Sequence, residues 1–214
     1  MIKNVFVFSA LSILLLVLVY VLTKTYNKKT LPYFTYNHEK KTLQKYASPL
    51  NEFHKVHYWS FINHRGNVYT LDSLNGKIYV ADYFFISCPG ICKSMGINMK
   101  RLYEHFKNNA NVIFISHTSK PHEDKIENLR EYANSKGVND SRWIFLTGDS
   151  NELYRVAKDE YFILNPDDTD AGKFVHTELF VLVDKNRFIR GYYDGTDTAS
   201  INQLIHDINV LLNE

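Results

Sequence analysis

The sequence predicts an α/β sandwich, set behind an apolar N-terminal segment. Three observations predict it: apolar strand-like runs that alternate with amphipathic helical stretches, a closing hairpin followed by a helix, and an uncharged run near the N-terminus. With 214 residues, 45% hydrophobic and 22% charged, the composition is that of an ordinary globular chain. A formal net charge of +2, with both signs interspersed, gives no nucleic-acid footprint, and no nucleic-acid partner is expected.

From Val5 to Leu22 no residue is charged. As a helix rising about 1.5 Å per residue, this run covers roughly 27 Å, enough to cross a bilayer core. Tyr20, Val21, Leu22, Thr23 and Lys24 offer no small-residue cleavage site, and no N-terminal cysteine could take a lipid. Residues 1–23 are therefore expected to be an uncleaved single-pass anchor. Lys24, Lys28 and Lys29 follow the run whereas only Lys3 precedes it, which by the positive-inside rule points the remainder toward the cytoplasm. Residues 24–52, with Pro32 and Pro49 and no sustained periodicity, read as a tether, although Tyr33, Phe34 and Tyr36 suit a short strand. Residues 53–214 read as the folded domain.

Within that domain HYWSFINHRG and NVYTLDSLNG form a hairpin that feeds the buried strand KIYVADYFFIS, each run closed by Gly or Asn. Met95, Met99, Leu102, Tyr103 and Phe106 recur at helical spacing, and VIFIS follows as a strand. A helix ending at Gly137 comes next, then the strand RWIFLTG and a helix that Ser150 can cap. FVHTELFVLVDKNRFIRGYY turns back on itself at Asp184–Asn186. An amphipathic helix through Ile201, Leu204, Ile205, Ile208, Leu211 and Leu212 closes the chain. This order is that of a thioredoxin-like α/β fold with an N-terminal β-hairpin extension.

Only two cysteines occur, Cys88 and Cys92, so no disulfide framework exists. They follow a buried strand where the chain turns into a helix, the edge at which open α/β sheets place ligands and redox groups. A helical turn brings positions i and i+4 onto one face, close enough for both sulfurs to share a metal, and a disulfide is also within reach. The helix start and Lys93 favour the thiolate, and Pro89 suits the first helical position. Two thiolates with one further ligand suit Cu(I) better than a structural zinc, which takes four protein ligands. Two inert buried thiols and a redox dithiol remain open readings of the spacing.

The stretch ADYFFISCPGICKSM resembles the signature of the Sco/SenC family, in which a phenylalanine-rich strand enters C-P-x-x-C. WIFLTGD (Trp143 to Asp149) and VHTELFVLVDKNRFIRGYYDGT (Val175 to Thr196) resemble later blocks of that family, in the same order. The resemblance runs from the fifties to the C-terminus. It implies a thioredoxin-like domain tethered outside the cytoplasm, at the periplasmic face of a bacterium, with Cys88, Cys92 and His176 as copper ligands. It also implies delivery of copper, as Cu(I) or Cu(II), to the copper-accepting subunit of cytochrome c oxidase, with other copper chaperones or thiol reductants as further partners. Gly90 and Lys93 depart from the family's usual residues, as does Lys120, where many members carry the Asp of V-D-P.

On this reading the protein is a metallochaperone rather than an enzyme. The alternative is a membrane-anchored thiol:disulfide oxidoreductase, in which one of Cys88 and Cys92 attacks and the other resolves. A thiol peroxidase is disfavoured by Phe85, which stands where a hydroxyl donor such as Thr would be needed. His105, His117 and His122 read as solvated or helix-end residues, although His117 follows the strand VIFIS and could sit near the site; Met95 and Met99 read as core, and Asp184 and Asn186 as turn residues.

Overall fold

The structure is a computed structural model that describes residues 13–18, 30–37, 39–48, 53–164 and 175–214. Leu31–Glu214 forms one compact unit and Met1–Thr30 another. Of the expected anchor, residues 13–18 are helical and exposed, and the rest of it lies outside the described residues. Among the described residues no helix is long and apolar enough to cross a membrane.

The larger unit is built on a nine-stranded sheet. In chain order its strands are β1 (Tyr33–Asn37), β2 (Thr42–Tyr46), β3 (Ser60–Asn63), β4 (Val68–Thr70), β5 (Ile78–Phe84), β6 (Val112–Thr118), β7 (Trp143–Thr147), β8 (Leu179–Val183) and β9 (Ile189–Asp194). Among the described residues of this unit four α-helices accompany them: α1 (Ile91–His105), α2 (Ile126–Ser135), α3 (Ser150–Arg155) and α4 (Thr198–Leu212). The spatial order is β2-β1-β9-β8-β5-β6-β7-β3-β4. β5, β6 and β7 run parallel, joined by helical crossovers, while β8 and β9 form an antiparallel hairpin beside β5.

β5 and β6 are buried along their whole length, as central strands covered on both faces must be. Alternate residues serve opposite cores. Ile78, Val80 and Phe84 join Met95, Met99 and Leu102 of α1 and Ile201, Leu204 and Ile208 of α4. Tyr79, Ala81 and Tyr83 face the other way, onto Trp59, Phe61, Leu71 and the segment from Leu153 to Ile163. Met95 and Met99 are core residues, as their spacing predicts.

The β3–β4 hairpin pairs with β7 as the extension expected from sequence, although β4 keeps only three residues before the 3-10 turn Leu71–Leu74. A second hairpin, β1–β2, forms within the residues read as a tether and joins the opposite edge through Phe34 and Ile189. Its strand at Tyr33–Asn37 is the one the aromatic residues suggest. Arg190 explains why it docks: the guanidinium lies 4.0 Å from the Tyr33 ring centroid and donates to the carbonyls of Leu31 and Pro32.

Two local expectations change. Asp149, not Ser150, caps α3, its carboxylate accepting the amides of Asn151 and Glu152, and α3 runs on into a π-helical turn over Val156–Glu160. Asp149 has the better acceptor and sits one residue earlier. Gly137 ends α2 with φ at 76°, as expected. The β8–β9 turn falls at the expected residues, with Asp184 Oδ1 accepting the amides of Asn186 and Phe188.

Candidate metal centre

Sheet topology decides what meets at the site. β5 and β6 are parallel, so their C-terminal ends share one edge, and β8 runs antiparallel to β5 from Ala81↔Val181 to Tyr79↔Val183. The residues leading into β8 therefore arrive at the edge that the Cys88 loop leaves.

Cys88 lies in the loop between Phe84 and Ile91, ahead of α1 rather than within it. Gly90 occupies the cap position and Pro89 precedes it, so the helix begins two residues later than the proline suggests. No side chain caps α1, and the backbone amides of Gly90 and Cys92 at its start favour a charged Cys88 sulfur.

Both thiols are free and lie just under the surface, 6% and 7% exposed. Burial pushes Cys88 up, but the hydrogen bond from the Cys92 thiol, those amides and the charge of Lys93 outweigh it, and its pKa falls below the ordinary thiol value. Burial pushes Cys92 up to about 12, helped by its hydrogen bond to Cys88 and by the charges of Cys88 and Asp82. One sulfur is set up to be a thiolate and the other to hold the proton.

His176 stands exposed between Val175 and Thr177, which are 4% and 7% exposed. The Ser119 hydroxyl donates to the Val175 carbonyl at 2.7 Å and Thr177 Oγ1 accepts the Leu179 amide, so the segment is pinned on both sides and its alternation turns His176 outward. The structure brings Cys88 and Cys92 together. Among the described residues, Cys88, Cys92 and His176 do not form a group whose ligand atoms all lie within 4.8 Å of one another.

Two residues that shape this edge, Asp82 and Asp124, carried no sequence signal. Asp124, 2% exposed, accepts the Ile86 amide and the Thr118 hydroxyl and so joins the Cys88 loop to the end of β6. Lys120 lies 4.7 Å from the Phe85 ring centroid and 3.1 Å from Glu123 Oε1, covering the same loop. A cleft of about 510 Å³ opens alongside, lined by Lys120, His122, Asp149 and Val175. Beneath the thiols is Asp82, whose burial raises its pKa to about 7. His117, read from sequence as solvated, is instead fully buried in β6, stacked on Tyr83 with ring centroids 4.8 Å apart. The apolar run before it was the available signal, since a residue continuing a two-sided central strand is buried on either face. His105 and His122 are exposed, as expected.

Residues 47–213 match the SCO1/SenC family model. The chain belongs to the SCO1/SenC family. It is 28% identical to the SCO1 protein homolog of Bacillus subtilis over 169 residues, covering 77% of this chain and 86% of that protein. Among solved structures it resembles a SCO1/SenC family lipoprotein from Bacillus anthracis, at 29% identity and a TM-score of 0.66, over 78% of this chain and 98% of that one. It also resembles BsSco, described as a Sco family cytochrome c oxidase assembly protein with a disulfide switch, at 28% identity and a TM-score of 0.63, over 77% and 95%. Arabidopsis thaliana ScoI, solved with copper bound, shares the fold at 21% identity and a TM-score of 0.56, over 72% and 97%. The thioredoxin-like Sco fold expected from sequence is therefore present, and copper is bound in solved structures of Sco homologues.

Proposed function

We propose that this protein binds one copper ion through Cys88, Cys92 and His176 and hands it to the copper-accepting subunit of cytochrome c oxidase during assembly. The observation that carries the reading is the pairing of a stabilised Cys88 sulfur with the Cys92 thiol at the start of α1, in a chain of the SCO1/SenC family. Two thiolates and an imidazole are a soft, three-ligand set that suits Cu(I) and leaves an approach for an acceptor's ligands. His176 sits on a segment adjoining residues outside the description, and its imidazole completes the set by turning in from its exposed position.

Copper binding to the reduced protein tests this, with wild type and His176→Ala titrated side by side. One tight Cu(I) per chain, weakened at least tenfold by His176→Ala, is the expected result. Binding indifferent to His176 would overturn the three-ligand reading.

The split between the two thiols also favours a second activity. A low-pKa sulfur beside a protonated partner is the arrangement by which one thiolate attacks a disulfide and the other resolves it. Disulfide reduction unaffected by His176→Ala, with weak copper binding, would put this reading first.

The apolar run Val5–Leu22 supports an N-terminal anchor, and membership of the family, rather than the run itself, favours a domain outside the cytoplasm. Lys24, Lys28 and Lys29 oppose that orientation, so a C-terminal topology reporter decides it: activity only on the outer side supports the reading, and a cytoplasmic signal overturns it.

A further inference from the structure

We infer that this protein carries a second metal site, formed by His54, His57 and Glu160, that takes a divalent first-row transition metal such as Zn²⁺. Their ligand atoms all lie within 4.8 Å of one another, and among the described residues this is the group of three that does so. The spacing within it has the right size. His57 Nδ1 lies 3.2 Å from Glu160 Oε2 and His54 Nε2 lies 3.6 Å from the same oxygen. In a tetrahedral site with bonds of about 2.0–2.2 Å, neighbouring ligand atoms stand about 3.3–3.6 Å apart. Two imidazoles and one carboxylate are also a donor set that zinc uses in open sites.

The fold holds the three donors in place. Glu160 ends the π-helical turn Val156–Glu160, an irregularity that often re-aims side chains at functional sites. Its carboxylate is 5% exposed and divided between two tasks. Oε1 accepts from Arg155 Nη1 at 2.7 Å, while Oε2 accepts the His57 amide at 2.7 Å and faces both imidazoles. Arg155 is itself held by Glu152, so it orients the carboxylate without occupying Oε2. The backbone of the histidine segment is fastened by the Val56 amide donating to the Arg187 carbonyl and by the bridge from Lys55 to Phe188.

His54 packs against Phe162 at 4.4 Å between centroids and bonds through Nε2 to the Glu160 carbonyl at 2.9 Å. Ligation through that nitrogen replaces this hydrogen bond, and the neutral ring then carries its proton on Nδ1. The His57 side chain is 72% exposed, which gives an ion a route in and leaves room for a solvent ligand. The site flanks the core of Trp59 and Tyr161, on the sheet face opposite the core that contains Cys88 and Cys92, and is distinct from the thiol pair.

The test uses the full chain carrying Cys88→Ser and Cys92→Ser, so that zinc cannot bind the thiols, and titrates Zn²⁺ by calorimetry and against a chromophoric chelator. One equivalent should bind, raise the melting temperature, and weaken at least tenfold in both His57→Ala and Glu160→Gln. His57→Ala removes an exposed ring and should leave the zinc-free circular dichroism unchanged. Zinc absorption spectroscopy should report only nitrogen and oxygen ligands. No binding, or binding untouched by His57→Ala in a folded variant, overturns the site.

Discussion

The Asp124 carboxylate reaches the Ile86 amide at 3.3 Å and the Thr118 hydroxyl at 2.5 Å, tying the Cys88 loop to the C-terminal end of β6. Asp124 is almost fully buried, and burial raises its pKa despite these donors. Removing it leaves an amide and a hydroxyl with no acceptor in a site that water cannot easily enter. Asp124→Ala should cost about 1–3 kcal/mol in urea unfolding, the range for an unsatisfied buried polar group. It should also loosen the loop, so that both thiols react faster with a bulky maleimide. A variant as stable as wild type would show that the carboxylate does not hold the loop.

The two thiols should differ in reactivity in a fixed order. The sulfur of Cys88 is stabilised as a thiolate by Cys92, the first-turn amides and Lys93, against its burial, whereas Cys92 is pushed up to about 12. Limiting iodoacetamide at pH 7 should therefore alkylate Cys88 first, because the thiolate is the reacting species. Peptide mass spectrometry reads the site directly. Cys92→Ala withdraws one donor from Cys88 and should slow its labelling severalfold at the same pH. Preferential modification of Cys92 would reverse the assignment.

How much of this was legible in the sequence differs by feature. The strand-helix alternation, the core helix through Met95 and Met99 and the turn at Asp184 all follow from periodicity and turn chemistry, which are local. The β1–β2 hairpin was half legible, because its docking depends on Arg190, remote in sequence from Tyr33. The cysteine pair was legible as a pair, yet the loop conformation that leaves Cys88 ahead of α1 was not, since Pro89 fits the first turn as well as the residue before the cap. Asp82, Asp124 and the His54–His57–Glu160 group were not legible at all. Their partners are assembled by tertiary contacts across the sheet, and no spacing in the chain encodes them.

Arg190 is the test of that long-range assembly. Its side chain is 2% exposed and bonds to Asp184 and Glu214 at 2.8 Å each, in addition to the carbonyls of Leu31 and Pro32. Arg190→Ala strands two carboxylates and two carbonyls and should destabilise the fold by about 3–5 kcal/mol, as for one partner removed from a buried ion pair. Arg190→Lys should recover only part of this, because an ammonium cannot reproduce the guanidinium fork. Denaturant midpoints measure both. A loss below about 1 kcal/mol for Arg190→Ala would mean that the network contributes little.

Stability should fall on acidification well above the range in which carboxylates titrate. Burial lowers His64 from 6.5 to about 4 and His117 from 6.5 to about 3, so both stay neutral in the fold where the unfolded chain would protonate them. Below pH 6.5 the unfolded state therefore binds two more protons, and the stability these residues give at neutral pH is lost as pH falls toward 4. Asp82 acts with the opposite sign, its folded value of about 7 lying above the ordinary 3.8, so that the native state binds one extra proton in the same window. The balance is one proton taken up on unfolding, or about 1.4 kcal/mol of stability lost per pH unit. Urea denaturation at pH 7 and pH 5 should then differ by about 1.4 kcal/mol in favour of pH 7, since Asp82 begins to act at pH 7 and the histidines only near 6.5. Asp82→Asn removes the opposing proton and should steepen the dependence to about twice that slope. A flat profile in wild type, or a slope unchanged by Asp82→Asn, would show that these three buried groups do not govern the acid limb.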